Sequence, residues 1–229
     1  MLLEICVETI ESALAAQEAG TDRLELCSDL KAGGLTPDFD LIKVAKEKIQ
    51  LPIHIMIRPR AGNFFYTAEE FEKMKTEIKT VKQLNTDGVV FGILTGNGDV
   101  DVKRTRELVE LSKPMKVTFH RAFDVAKNPF DGLERIIECG CDTLLTSGQK
   151  EKAIEGVDLI RQLYNKANRR IEIMAGSGIT DKNILEIVLQ SRVESFHASA
   201  KKIVSENNVY EVDKEIVRAM KNKLNSYLR

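Results

Sequence analysis

Several side chains able to move protons or bind anions sit at the ends of short apolar runs in this 229-residue chain. Glu8, Glu25, Arg58, His120, Arg121 and Asp124 form one set. A carboxylate, an imidazole and guanidinium groups converging on one mouth can do general acid–base work on an anionic substrate. In that reading Glu25 or His120 moves the proton, and Arg58 and Arg121 hold a carboxylate or phosphate through their planar forks. Asp124 then orients the histidine. A second set, Arg60, Gly176, Ser177, Gly178, Ser199 and Lys201, has the make-up of an anion cradle. Lys201 could also form a Schiff base if desolvated, although a lone lysine after a strand more often pairs with an anion. The competing explanation for the charged residues is a buried ion-pair network with a purely structural role.

The elements that must position these residues repeat eight times. Short apolar, β-branched runs occur at Leu2–Val7, Arg23–Cys27, Ile53–Ile57, Val89–Leu94, Lys116–His120, Thr143–Thr146, Ile171–Ala175 and Ser195–Ala198. Each precedes a stretch with apolar residues at helical spacing, such as Phe71, Met74, Ile78 and Val81. Strands alternating with helices imply parallel strands joined by crossovers, and eight units in this length predict a TIM-like (β/α)8 barrel. Such barrels carry their chemistry at the C-terminal ends of the strands, where the two sets above fall. Alternation assigns the faces. Leu3, Ile5 and Val7 face the helices, which turns Glu4, Cys6 and Glu8 inward. The same phase turns Glu25, Cys27, His54, Met56, Arg58, Thr118, His120, Met174, Gly176, His197 and Ser199 toward the lumen. A lumen this polar departs from the Val, Ile and Leu layers usual in barrels, and its hydrogen bonds must be satisfied.

Composition bounds the rest. The chain is long enough to bury a core without disulfides, and no linker or low-complexity tract divides it, so residues 1–229 are read as one domain. The longest polar stretches, Gly96–Asp99 and Ser205–Asn208, are turn-sized. A formal net charge of −1 argues against a nucleic-acid partner. No run reaches the length of a membrane span, and Leu2–Val7 is too short for a signal core. With its four cysteines read as reduced thiols, the expected location is the cytoplasm. Self-association is left open.

The stretches Glu4-Ile-Cys-Val, Asp22-Arg-Leu-Glu-Leu-Cys27, Gly33-Gly-Leu-Thr-Pro37 and Met56-Ile-Arg-Pro-Arg60 resemble the CutC copper homeostasis family. So do Gly88-Val-Val-Phe-Gly-Ile-Leu94, Thr118-Phe-His-Arg-Ala-Phe-Asp124, Leu145-Thr-Ser-Gly-Gln149 and Phe196-His-Ala-Ser-Ala200. The resemblance runs from residue 3 to about 201 and implies a TIM-like barrel with a cytoplasmic role in copper handling. It also implies Cys6 and Cys27 as Cu(I) ligands. The chemistry agrees, since thiolates favour Cu(I) over harder cations. Met56, Met174 or His54 would supply a third ligand if their heights along the barrel match. Free cysteine also serves as a small buried hydrophobe, which is the reading given to Cys139 and Cys141 at the opposite barrel face.

The function expected is therefore Cu(I) binding through lumen cysteines. The alternative is an enzyme acting on a small anionic ligand, and a metal-free interaction protein comes third. Two further segments are read more plainly. Phe64, Phe65 and Tyr66, after the third strand, form a packed anchor or a lid over the mouth. Ile216, Met220, Leu224 and Tyr227 form the packing stripe of the last helix.

Overall fold

The computed structural model describes residues 1–203 and 210–227. Eight parallel strands close into a barrel: β1 (Leu2–Val7), β2 (Arg23–Leu26), β3 (Ile53–Met56), β4 (Gly88–Phe91), β5 (Lys116–Phe119), β6 (Thr143–Thr146), β7 (Glu172–Gly176) and β8 (Ser195–Ala198). The crossovers carry α1 (Ile10–Glu18), α2 (Phe39–Lys48), α3 (Ala68–Gln83), α4 (Val102–Ser112), α5 (Pro129–Cys139), α6 (Val157–Ala167) and α7 (Ile184–Ser191). After β8 comes an antiparallel hairpin, β9 (Lys201–Ile203) with β10 (Tyr210–Val212), and then α8 (Lys214–Tyr227). The polar stretch Ser205–Asn208 lies outside the described residues. No helix among the described residues is long and apolar enough to cross a membrane.

Local chemistry starts the helices. Thr67 and Glu70 form a reciprocal capping box at α3, and Asn128 caps α5 with Pro129 in its first turn. Three strands keep the expected bounds, whereas β2, β3, β4 and β5 stop before the apolar run ends. Their last residues leave the ladder to build the mouth. Ser28, just past Cys27, bridges Leu35, Leu94 bridges Val100, and His120 caps a 3-10 turn over Arg121–Val125. The paired strands β9 and β10 add to the eight-unit pattern, and at three residues each they leave no periodic signal in the sequence.

Strand phase separates two cores. The larger lies between barrel and helices and takes Leu3, Ile5, Val7, Leu24, Leu26, Ile53, Ile55, Val89 and Phe91 from the outward phase. The smaller lies in the lumen and consists of Cys6, Cys27, Met56 and Val90, with Leu30 packed on it. The α8 stripe packs as expected through Met220 and Leu224, while Tyr227 is about half exposed.

Candidate functional site

Register brings the lumen side chains together. Cys6 pairs with Glu25 across β1 and β2, and Glu4 pairs with His197 across β1 and β8. The closure of the barrel therefore delivers a thiol, a carboxylate and an imidazole to one level. Ligand atoms of Cys6, Glu25 and His197 all lie within 4.8 Å of one another. His197 Nε2 is 2.9 Å from Glu25 Oε2 and 3.9 Å from Glu4 Oε1. Burial alone pushes this imidazole down, but the Glu25 carboxylate and Cys6 outweigh it and raise His197 well above the ordinary histidine value. The acidic surroundings of His197 thus favour its protonated form.

Cys27 stands beside this group in the sulfur cluster. Its thiol donates to the Val7 carbonyl at 3.6 Å, and burial with the nearby Glu25 and Cys6 raises it well above the usual thiol range. Gly34, in the left-handed region at φ 84°, leaves the space above it. A Cβ there would sit 3.3 Å from Met56 Cε and 3.6 Å from Cys27 Sγ. The other two candidate third ligands lie elsewhere. Met174 contacts Arg23, and His54 packs against Gly88, where a Cβ would come within 2.4 Å of its ring. Below the sulfurs, Arg23 pairs with Glu4 at 2.5 Å, so that level of the lumen is closed by its own charges.

Above the sulfurs the barrel opens into a cavity of about 800 Å³. It is lined by Cys6, Glu25, Met56, Arg58, Phe64, His120, Arg121, Asp124, Ser177, Gly178, His197, Ser199 and Lys201, among others. Most of the residues singled out from sequence therefore converge on one mouth. Of the two sets of polar residues and the two candidate thiols, four do not line it. Cys27 lies behind Cys6 in the sulfur cluster. Glu8 turns away to accept the Leu30 N–H at 2.9 Å, which fixes the loop after β2. Arg60 pairs with Glu70 at 2.5 Å and ties down the carbonyls of Asn63 and Phe65. Gly176 faces Leu145, whose Cδ1 would meet an added Cβ at 2.5 Å, so its smallness serves packing.

The expected partnership of Asp124 with His120 is absent, and local geometry explains why. Asp124 accepts from Thr146 Oγ1 (2.5 Å), Ser147 N–H and Oγ, Gln149 N–H and Arg121 Nε (2.8 Å). It is the clasp that holds the β6 loop to the turn after β5. Arg121 is committed to the same clasp through Asp124 and Ser147. His120 instead accepts the Ala122 N–H at Nδ1 (3.2 Å), and its Nε2 has no partner. Phe64 packs edge-on against His120, with ring centroids 4.9 Å apart, and lines the mouth, while Tyr66 is buried and Phe65 is exposed. Ser177, at φ 83°, uses its hydroxyl on the Glu151 carbonyl.

Comparison with known proteins agrees with this architecture. The model of the CutC family matches residues 1–202. This chain belongs to the CutC family. A CutC family protein of Histophilus somni is 46% identical over 201 residues, covering 88% of this chain and 83% of that protein. The copper homeostasis protein cutC homolog of Mus musculus is 45% identical over 200 residues, covering 87% and 74%. The solved structure of CutC from Streptococcus agalactiae superposes with a TM-score of 0.83 at 32% identity, over 87% of this chain and 98% of that one. Phosphoribosylanthranilate isomerase of Thermotoga maritima has a TM-score of 0.65 at 13% identity, over 99% of each chain, a likeness of fold alone.

Alternation turns His197 of this CutC-family chain toward the lumen but identifies no partner for it. Its link to Glu25 spans 172 residues and depends on barrel closure. The available signal was its inward phase on the last strand, adjacent to β1.

Proposed function

We propose that this CutC-family chain binds Cu(I) at the floor of the cavity, as part of cytoplasmic copper handling. One observation carries the reading: two thiols and a thioether, from Cys6, Cys27 and Met56, are gathered in a single buried lumen cluster. These are the donors that select Cu(I) over harder ions. Cys6 lines the cavity and sits within ligand distance of His197 and Glu25, which gives an ion a route from the mouth to the sulfurs. Cys6 and Cys27 would hold the ion, with Met56 or His197 completing its shell. The relatives whose names refer to copper homeostasis support the same reading.

Binding as thiolates requires Cys27 to give up its proton, and His197 must give up its own to act as a donor. Uptake of the ion therefore releases protons into the carboxylate-lined mouth.

X-ray absorption at the copper edge of anaerobically loaded protein tests the assignment. A first shell made mainly of sulfur, reduced by one scatterer in Cys6→Ser and again in Cys27→Ser, is expected. A shell of nitrogen and oxygen alone, unchanged in both variants, would contradict it.

A further inference from the structure

One wall of the cavity carries polar groups that a sulfur-bound ion leaves unused. Arg58, two residues past β3, is only 6% exposed. Its Nη1 donates to the carbonyls of Ala32 (2.9 Å) and Gly34 (3.1 Å), and its Nη2 donates to Gly62 (3.1 Å). One Nη2 hydrogen and the Nε–H make no well-formed hydrogen bond, and the neutral hydroxyl of buried Tyr66 stands beside the guanidinium, itself unsatisfied. Arg23 has Glu4 and Arg121 has Asp124, but no carboxylate among the described residues lies within ion-pair reach of Arg58. A guanidinium buried among neutral carbonyls without a counter-charge is costly to fold around.

His120 lines the same cavity and is 4% exposed. Because Nδ1 accepts from Ala122, the ring proton is assigned to Nε2, and that N–H also lacks an acceptor. Both groups pack on Phe64, with the Arg58 guanidinium 5.0 Å from its ring centroid and the His120 ring at 4.9 Å, and Arg58 is close enough to act electrostatically on the imidazole. Gly92 keeps the place of the imidazole open, since a Cβ there would meet Nδ1 at 2.5 Å.

We propose that Arg58 and His120 form a binding site for an oxyanion, the carboxylate or phosphate group of a small organic acid. Arg58 supplies the charge through its unused N–H groups, and His120 supplies a neutral Nε2–H donor. The volume fits such a ligand, because 800 Å³ far exceeds what one metal ion fills and matches small-molecule pockets. Ionisation agrees with the geometry. Burial, with Arg58 and Arg121 nearby, holds His120 down to about 3, so the ring stays neutral and awaits a negative neighbour. The site does not require Cys6 or Cys27, and it stands or falls independently of copper.

The test uses the full chain, reduced and metal-free, with 15N-labelled histidine. Sodium pyruvate and, separately, inorganic phosphate are titrated at constant ionic strength against a chloride control. A saturable shift of the His120 ring nitrogens in either arm is expected, and the arm that saturates identifies carboxylate or phosphate as the group bound. Arg58→Gln should weaken that binding at least about tenfold. His120→Asn keeps an oxygen to accept the Ala122 N–H but loses the Nε2–H, and should weaken binding measured by calorimetry. The proposal is overturned if neither anion shifts His120 beyond the chloride control, or if folded Arg58→Gln binds as the wild type does. If Arg58→Gln does not fold, unchanged affinity in His120→Asn overturns it instead.

Discussion

Two pairs of cysteines in this chain are alike in type and burial and differ in what surrounds them. Cys139 ends α5, and Cys141 lies just before β6. Both belong to the apolar layer between barrel and helices, and Cys139 donates only to the Val102 carbonyl at 3.5 Å. Desolvation raises both thiols, so they behave as small hydrophobes. Cys6 and Cys27 are equally buried, but their neighbours are Met56, Glu25 and His197, beneath an open cavity. Burial by itself does not separate the two pairs. Strand phase does, because it decides whether a side chain meets the helix layer or the lumen.

If that contrast is right, pH should act on the lumen pair and spare the other. Cys27 is raised and protonated at neutral pH, and His197 is raised and charged, so both release a proton when they take up a metal. Cu(I) affinity should climb with pH by about tenfold per unit for each proton released, up to about a hundredfold for two. Competition titrations between about pH 6 and 8 check it. A flat profile would place the metal away from these groups.

Stability should follow the lumen histidines. Burial lowers His54 to about 4 and His120 to about 3, so both stay neutral in the folded chain while the unfolded chain protonates below about 6.5. That contribution is complete above about 6.5 and is lost as pH falls toward the folded values, at about 1.4 kcal/mol per unit per group. His197 has the opposite sign. It contributes fully below about 6.5 and fades as pH rises through its raised folded value. Urea unfolding should therefore peak near about pH 6.5, and His120→Asn should flatten the acid limb.

A smaller effect distinguishes ligand from neighbour. His197→Gln should cost about tenfold in Cu(I) affinity and remove one proton from the pH slope, as judged by the same competition assay. The smallest effect belongs to the structural pair. Cys141→Ala should lose about 1–2 kcal/mol in urea unfolding, as expected for a small cavity, and leave copper affinity unchanged.

Much of this architecture can be read from local pattern. β1, β6 and β8 keep the bounds their apolar runs indicate, and alternation places Cys6, Glu25, Cys27, Met56 and His197 on the lumen side. Height along the barrel cannot be read that way. Phase alone treats Met56, Met174 and His54 as equals, whereas strand stagger leaves only Met56 beside the thiols. Long-range pairings are hidden for the same reason. Asp124 looks like a partner for the histidine four residues before it, yet its oxygens are taken by Thr146, Ser147 and Gln149 on the next βα loop. Arg60, one phase step beyond Arg58, is captured by Glu70 of its own loop and helix.

In the proposed function the lumen thiols, and not the apolar-layer thiols, bind copper. The direct measurement is anaerobic Cu(I) titration of the reduced protein against a competing chelator. Wild type is compared with the Cys6→Ser/Cys27→Ser and Cys139→Ala/Cys141→Ala double variants, each confirmed as folded by circular dichroism. Tight stoichiometric binding that survives in the second variant and is lost in the first is the predicted result. Equal binding in all three, or binding lost only with Cys139 and Cys141, would contradict it.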